Sequence, residues 1–264
     1  MLRIIDARTG EPVAAAPARR GLTRIEAHAS GCDASGLRVL LVADLLVRAL
    51  ELGGTPVWAL LTGAREQAEL RAGAAALGIR PFEDSRGLGA ALGEAQVVHV
   101  AEAGRAPGPV ASGRGGPASR DTPTGGGSAS KDVWIAVAPV DAAVPVAPAV
   151  DEDPAAWRLA LLARPRTLPV RLDRDTLDKA HRTLARWRGA VADWARQPSR
   201  PIPEDVRGRL RDAWEHDLDA PAALRVLDWA GARPDLADGA RFETYAYADR
   251  LLGLDLTRDL GHSA

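Results

Sequence analysis

Six apolar residues, Leu177, Ala180, Leu184, Trp187, Val191 and Trp194, recur at alternating steps of three and four. That spacing brings all six to one face of a helix. A stripe with two tryptophans needs partner helices to cover it. Asp173 or Asp175 can cap the start, and Pro198 stops the helix just after Gln197. Pro154 opens a shorter helical pattern over 155–163, and the acid cluster Asp151, Glu152 and Asp153 favours its N-terminus. Val206, Leu210, Ala213 and Trp214 line a third helix. Asp219 or Ala220, then Pro221, open a fourth over 222–230. Phe242, Tyr245, Ala248 and Leu252 face inward from a last one over 242–252, and the tail 256–264 frays. Residues 151–264 therefore predict an all-α helical bundle.

Upstream, the pattern changes. Residues 23–29 read as a strand, 31–37 as a polar turn and 38–52 as a helix ended by Gly53-Gly54. Asp44, Arg48 and Glu51 form the polar stripe of that helix; so lopsided a helix packs against a sheet. A strand over 55–61 and a helix over 64–77 follow. This order is a βαβ unit with a parallel pair. Residues 1–20 read as an extended segment, a turn at Thr9-Gly10 and an Ala/Pro-rich loop. A short helix over 87–93 and strands over 97–100 and 132–138 complete the half. Between them, 104–131 is dense in Gly, Pro, Ser and Ala and cannot bury enough apolar surface to offset its ordering entropy. The expected organisation is a Rossmann-like α/β half-domain (1–103), a flexible linker (104–131), a strand and connection (132–150), and the bundle (151–264).

Composition narrows the function classes. Net charge is −1, so no global field draws the chain to DNA or to a membrane. All but two of its 34 basic residues are arginine, the lysines being Lys131 and Lys179. The single cysteine, Cys32, excludes an intrachain disulfide and fits a reducing cytoplasm. The opening MLRIIDARTGEP has no signal-peptide core, and no apolar run approaches the ~18 residues of a membrane span. G-x-S-x-G, P-loop and H-E-x-x-H motifs do not occur.

The words DEDPAAWRLALLARPRTLPVRLDRDTL, LARWRGAV and RLRDAWEHDLDAPAALRVLDWA resemble the region after the active site in cysteinyl-tRNA synthetases. They resemble more closely that family's relative, the mycothiol-pathway cysteine ligase, which joins cysteine to an amino sugar. A DP-A-R-LLL helix and a D-(D/L)-x-(T/A)-P-x-A-L turn are shared; here the turn runs from Asp217 to Leu224. The opening LRIIDARTGE resembles the strand that precedes the families' nucleotide fold, and 35–81 resembles its first half, including a D-L-L-x-R helix and an A-x-x-L-G-I-x-P turn. The resemblance implies a remnant of a class I synthetase nucleotide fold joined to a helical bundle, with ATP as cofactor.

Three devices of those families have counterparts to weigh. The first is an H-I-G-H motif whose imidazoles meet ATP phosphates at a helix N-terminus, where backbone N–H groups already favour an anion. Here the place is taken by Cys32, Asp33, Ala34, Ser35, Gly36 and Leu37, without either histidine. Asp33, Ser35, Gly36 and Arg38 are the nucleotide-binding candidates there, against a plain connection from strand to helix. The second is K-M-S-K-S, whose lysines stabilise the departing pyrophosphate. Ser128, Ala129, Ser130, Lys131 and Asp132 stand closest, with Ser130 and Lys131 matching, so Lys131 is the candidate catalytic residue. The third is a zinc site built from two cysteines, a histidine and a further ligand. His28 falls at the first cysteine's position, Cys32 lies four residues on, and His99 could join them. Unclustered ligands do not close a tetrahedral site, so zinc is not expected, and His28 reads as the plain end of a strand.

The expectation is a cysteine-ligase-like paralogue that lacks the residues for standard adenylation and binds a nucleotide, a tRNA or a partner enzyme. The alternative is an active ATP-dependent amino-acid ligase with a reorganised site.

Overall fold

The computed structural model describes residues 1–18, 21–63, 67–84, 96–105, 132–144, 148 and 152–261. The anticipated helix at 87–93 and nearly all of the anticipated linker at 104–131 lie outside these residues. The chain opens with a hairpin, β1 (Arg3–Ile5) against β2 (Pro12–Ala14), where an isolated extended segment was expected. Then come β3 (Thr23–His28), α1 (Ala34–Leu52), β4 (Val57–Thr62), α2 (Gln67–Ala76), β5 (Glu83–Asp84), β6 (Gln96–Glu102) and β7 (Val133–Val137). Strands β3 to β7 form one parallel sheet in the order β5-β4-β3-β6-β7. The chain starts at the centre, moves out one way through β4 and β5, and returns to the other side of β3 with β6. That reversal is the topological switch point of a doubly wound fold. The fold is α/β and Rossmann-like, followed by several C-terminal helices.

Helix α1 explains why its sequence carries so few polar residues. All but three of its 19 residues are buried. One side covers Ile25, Ala27, Val98, Val100 and Ile135 of the sheet, and the other meets the C-terminal helices. Those are α3 (Pro154–Leu162), α4 (Arg174–Trp194), α5 (Glu204–Glu215), α6 (Ala220–Ala232) and α7 (Asp238–Leu252). A two-stranded parallel pair, β8 (Val140–Ala142) and β9 (Val170–Leu172), ties the segment after the sheet to the segment before α4. No described helix is long and apolar enough to cross a membrane.

The helix ends follow the anticipated chemistry. Asp173, not Asp175, caps α4 by accepting from Thr176 N at 3.0 Å. Asp153 caps α3 through Ala155 N at 3.0 Å, and Asp219 caps α6 through Ala222 N at 2.9 Å. On α4, Leu177, Ala180, Leu184, Trp187 and Val191 are buried, while Trp194 near the last turn is only half-buried. It packs edge-on against Tyr245, whose hydroxyl donates to Leu227 O at 2.7 Å. The tail does not fray at once, because Leu254 and Leu256 are fully buried beneath α4 and α7.

An ion pair joins the two halves. Arg158 of α3 reaches Asp44 of α1 at 2.6 Å, and both side chains are fully buried. Arg48 and Arg80 hold the same carboxylate at 2.9 and 3.1 Å. Arg158 also donates to the carbonyls of Leu252, Leu77 and Gly78. Gly253, at φ +61°, ends α7 directly over that guanidinium; a Cβ there would lie 3.0 Å from it. Burial alone would raise the Asp44 carboxyl, but the Arg158 and Arg48 charges hold it below the ordinary carboxylate range.

Two stability outcomes follow. Asp44→Asn strands a buried guanidinium and should cost about 3–5 kcal/mol in urea unfolding at neutral pH. Because the folded pKa is depressed, this contribution is present above the unfolded value and fades as pH falls below about 4, so the variant and wild type should converge there. Trp187→Ala, at a position 2% exposed, should cost about 3–5 kcal/mol. A loss below about 1 kcal/mol would place that ring outside the core.

Candidate functional site

In an open parallel sheet, ligands bind beyond the carboxyl ends of the strands at the switch point. Here that is the end of β3 and β6, where the turn 29–33 leads into α1. Asp33 caps α1, accepting from Gly36 N at 2.7 Å. Ser35 Oγ accepts from Val140 N at 2.9 Å and is nearly buried. Gly36 allows the turn to close on itself: a Cβ there would sit 2.5 Å from Gly31 O. Ser30 Oγ lies 3.4 Å from Glu102 Oε2 and bridges the two strand ends.

Arg38 has a different setting. It is 1% exposed, and its guanidinium donates to Ala138 O, Leu168 O, Pro165 O and Arg164 O at 2.8, 2.8, 2.9 and 3.4 Å. Burial, with Arg164 nearby, pushes its pKa down to about 10, so it stays charged at neutral pH. Ser130 and Lys131 lie outside the described residues.

The largest concentration of chemistry lies on the sheet face that α1 does not cover. Parallel strands covered on both faces are apolar throughout. Strand β3 instead alternates, with Thr23, Ile25 and Ala27 buried and Arg24, Glu26 and His28 half-buried on the other face. The register sets Glu26 opposite His99 and His28 opposite Ala101. His28 Nε2 and His99 Nδ1 are consequently 3.0 Å apart, with Glu26 Oε2 at 3.3 Å from His99 Nδ1 and 3.7 Å from His28 Nε2. Trp134 of β7 stacks on both imidazoles, at 4.2 Å from His99 and 5.3 Å from His28 between ring centroids. Arg24 Nε holds the second Glu26 oxygen at 3.1 Å, and Asp132 Oδ2 stands 3.9 Å from His99 Nε2.

The electrostatics of the cluster favour a carboxylate beside neutral imidazole. Burial and the adjacent His99 push the His28 pKa below its ordinary value. A hydrogen bond from His99 holds the Glu26 carboxyl below its own, against the effect of burial. The structure thus brings His28 and His99 together and adds Glu26, which sequence reasoning passed over. Cys32, the other metal candidate, is half-buried against the core and is not part of the cluster. Alternation within a strand expected to be parallel is the signal that could have found Glu26.

No family model matches the chain. It is similar to curated proteins named L-cysteine:1D-myo-inositol 2-amino-2-deoxy-alpha-D-glucopyranoside ligase. The one from Thermobispora bispora is 40% identical over 107 residues, which is 40% of this chain and 25% of that protein. The one from Parafrankia sp. is 40% identical over 113 residues, 39% of this chain and 24% of that protein. The one from Catenulispora acidiphila is 46% identical over 88 residues, 33% of this chain and 19% of that protein. The aligned regions thus span about a quarter or less of the length of these relatives.

The setting of Arg38 generates a direct test. Arg38→Met leaves four inward-facing carbonyls without their donor and should cost on the order of 3 kcal/mol in urea unfolding. A loss under about 0.5 kcal/mol, typical of a surface site, would release Arg38 to serve as a phosphate ligand.

Proposed function

We propose that this chain is a cysteine-ligase-like paralogue of class I synthetase descent whose nucleotide fold serves binding rather than adenylation. A nucleotide at the α1 turn is the primary ligand, with a tRNA or a partner enzyme as further partners. The observation that carries this reading is the commitment of the turn's own side chains. Asp33 caps the helix and is itself anionic, Ser35 bonds Val140, and Arg38 is buried among four carbonyls. What the turn offers an anion is therefore backbone N–H groups and the helix dipole, which suffice for modest binding. Adenylation asks for more. Charge builds as pyrophosphate departs, and preorganised cationic or donor groups stabilise it by several kcal/mol each. Without two such groups, at ~3 kcal/mol each, the step slows by roughly four orders of magnitude.

The second reading, an active ATP-dependent ligase with a reorganised site, draws its support from the imidazoles of His28 and His99 near the sheet's carboxyl edge. One experiment separates the two. ATP–pyrophosphate exchange should be measured with each amino acid in turn, with and without zinc, tRNA and amino sugar. The expected result is no exchange above background, alongside a nucleotide-dependent rise in melting temperature. Robust exchange abolished by Lys131→Ala would establish the second reading instead.

A further inference from the structure

We propose that Glu26, His28 and His99 bind one divalent first-row transition-metal ion of the zinc class, through Glu26 Oε2, His28 Nε2 and His99 Nδ1, leaving at least one coordination position open. The ligand set is not the one that the cysteine-ligase resemblance implies. That set is rich in thiolate, whereas this one has two nitrogens and an oxygen, and Cys32 stands outside it.

Three observations carry the inference. The first is the spacing of the donor atoms. Ligands at 2.0–2.1 Å from a tetrahedral ion lie about 3.3–3.4 Å from one another. The three donor atoms here are 3.0, 3.3 and 3.7 Å apart, which brackets that edge. Closing the set onto an ion requires shifts of only a few tenths of an ångström. The second is convergence. A carboxylate oxygen and two imidazole nitrogens lie within 3.7 Å of one another. A cation among them satisfies all three lone pairs at once. The third is the surrounding support. Arg24 Nε lies 3.1 Å from the other Glu26 oxygen as an ion pair, and Trp134 stacks on both rings. Asp132 stands near His99 Nε2, the nitrogen opposite the donor. Metal-ligating histidines are regularly oriented by an outer carboxylate of this kind.

The backbone supplies the preorganisation. Glu26 and His28 are two residues apart on one strand, and His99 is the in-register partner of Glu26 on the next. All three donors therefore project from one face of a rigid parallel sheet. Two imidazoles and one carboxylate suit zinc, and also ferrous iron or cobalt. Three protein ligands with an open position is the arrangement of metal sites that take an exogenous ligand, where structural sites are closed by four.

The experiment uses the full chain, stripped with a chelator and titrated calorimetrically with Zn²⁺, with Co²⁺ as an absorbing probe of geometry. One ion per chain is expected, together with the intense visible ligand-field bands of four- or five-coordinate Co²⁺. Glu26→Gln and His99→Gln should each weaken Zn²⁺ binding by about 100-fold or more, and Asp132→Asn by about tenfold. Cys32→Ser and His216→Gln should leave it unchanged. Far-UV circular dichroism and melting of each metal-free variant check that the fold persists. The proposal is overturned by a stoichiometry well below one, by retained affinity in the Glu26→Gln/His99→Gln double variant, or by loss in the Cys32 or His216 variant. If the ligand variants fail to fold, the wild-type Co²⁺ spectrum decides: octahedral, weakly absorbing Co²⁺ would refute the site.

Discussion

The buried contact between Arg158 and Asp44 is the interaction on which the two halves of the chain depend. Neither group can be left alone in an apolar interior, since an uncompensated buried charge costs several kcal/mol. Asp44 comes from the D-L-L-x-R word of α1, Arg158 from the DP-A-R-LLL word of α3, and the remaining guanidinium donors reach the ends of α2 and α7. Four helices are thus placed by one side chain. One large apolar core runs through sheet and bundle alike, containing Ile25 and Val100 from one and Trp187 and Tyr245 from the other, beside a smaller cluster of Val206, Ala230, Leu236 and Ala240. A second joint uses the same logic at the other end. Asp217 and Leu218, at φ +59° and +53°, turn the chain between α5 and α6. There Asp217 accepts from Ile5 N, donates its own N–H to Arg3 O and pairs with Arg166. The D-L-L-x-R segment of α1, the α3 segment and the turn between α5 and α6 are the places where the C-terminal helices grip the α/β part.

That grip has a consequence for the sheet. With α1 held between sheet and bundle, one face of the sheet is sealed by aliphatic residues, and polar or aromatic side chains collect on the other. Arg24, Glu26, His28, Trp58, His99 and Trp134 all belong to that second face. A parallel strand does not carry Glu-x-His at its centre for packing, because burying either group without a partner is costly. The pairing in register of β3 with β6 gives each of them one. The cluster is therefore a product of topology: Glu26 and His99 are far apart in sequence and become neighbours only because the chain reverses at the switch point.

This separates what could be read from the sequence from what could not. The bundle was legible because its periodicity is local: the α4 stripe, the Asp-Pro starts and the inward face of α7 all follow from residues within one helix. The βαβ order was legible for the same reason. The pairing of β8 with β9 and the burial of Leu256 were not, since each depends on a distant segment, and the β1–β2 hairpin, though local, carries no strong strand pattern in its three-residue arms. Trp194 fits the helical stripe yet is only half-buried: it is the last residue of α4 and packs against Tyr245 and Arg241 of α7 with part of its ring left exposed. The candidate site was half legible. His28 and His99 were identifiable as metal-ligand types, but their contact, and the role of Glu26, required the register.

The arginines complete the argument about where a site can lie. In a chain with two lysines, arginine does the work of both a surface charge and an internal clamp. Arg38, Arg158, Arg166 and Arg188 are all buried, and each donates to backbone carbonyls of loops, strands or helix ends. A planar guanidinium with five donors suits that task, because several carbonyls can be satisfied from one rigid fork. An arginine so placed is not available to a phosphate without leaving those carbonyls unpaired. Counting basic residues therefore overstates the charge this fold can direct at an anion. Among the described residues, the strand ends carry the His28 and His99 imidazoles and the Glu26 carboxylate, with Arg24 paired to Glu26 and Arg105 exposed just beyond β6. Two imidazoles and a carboxylate are a set matched to a metal cation.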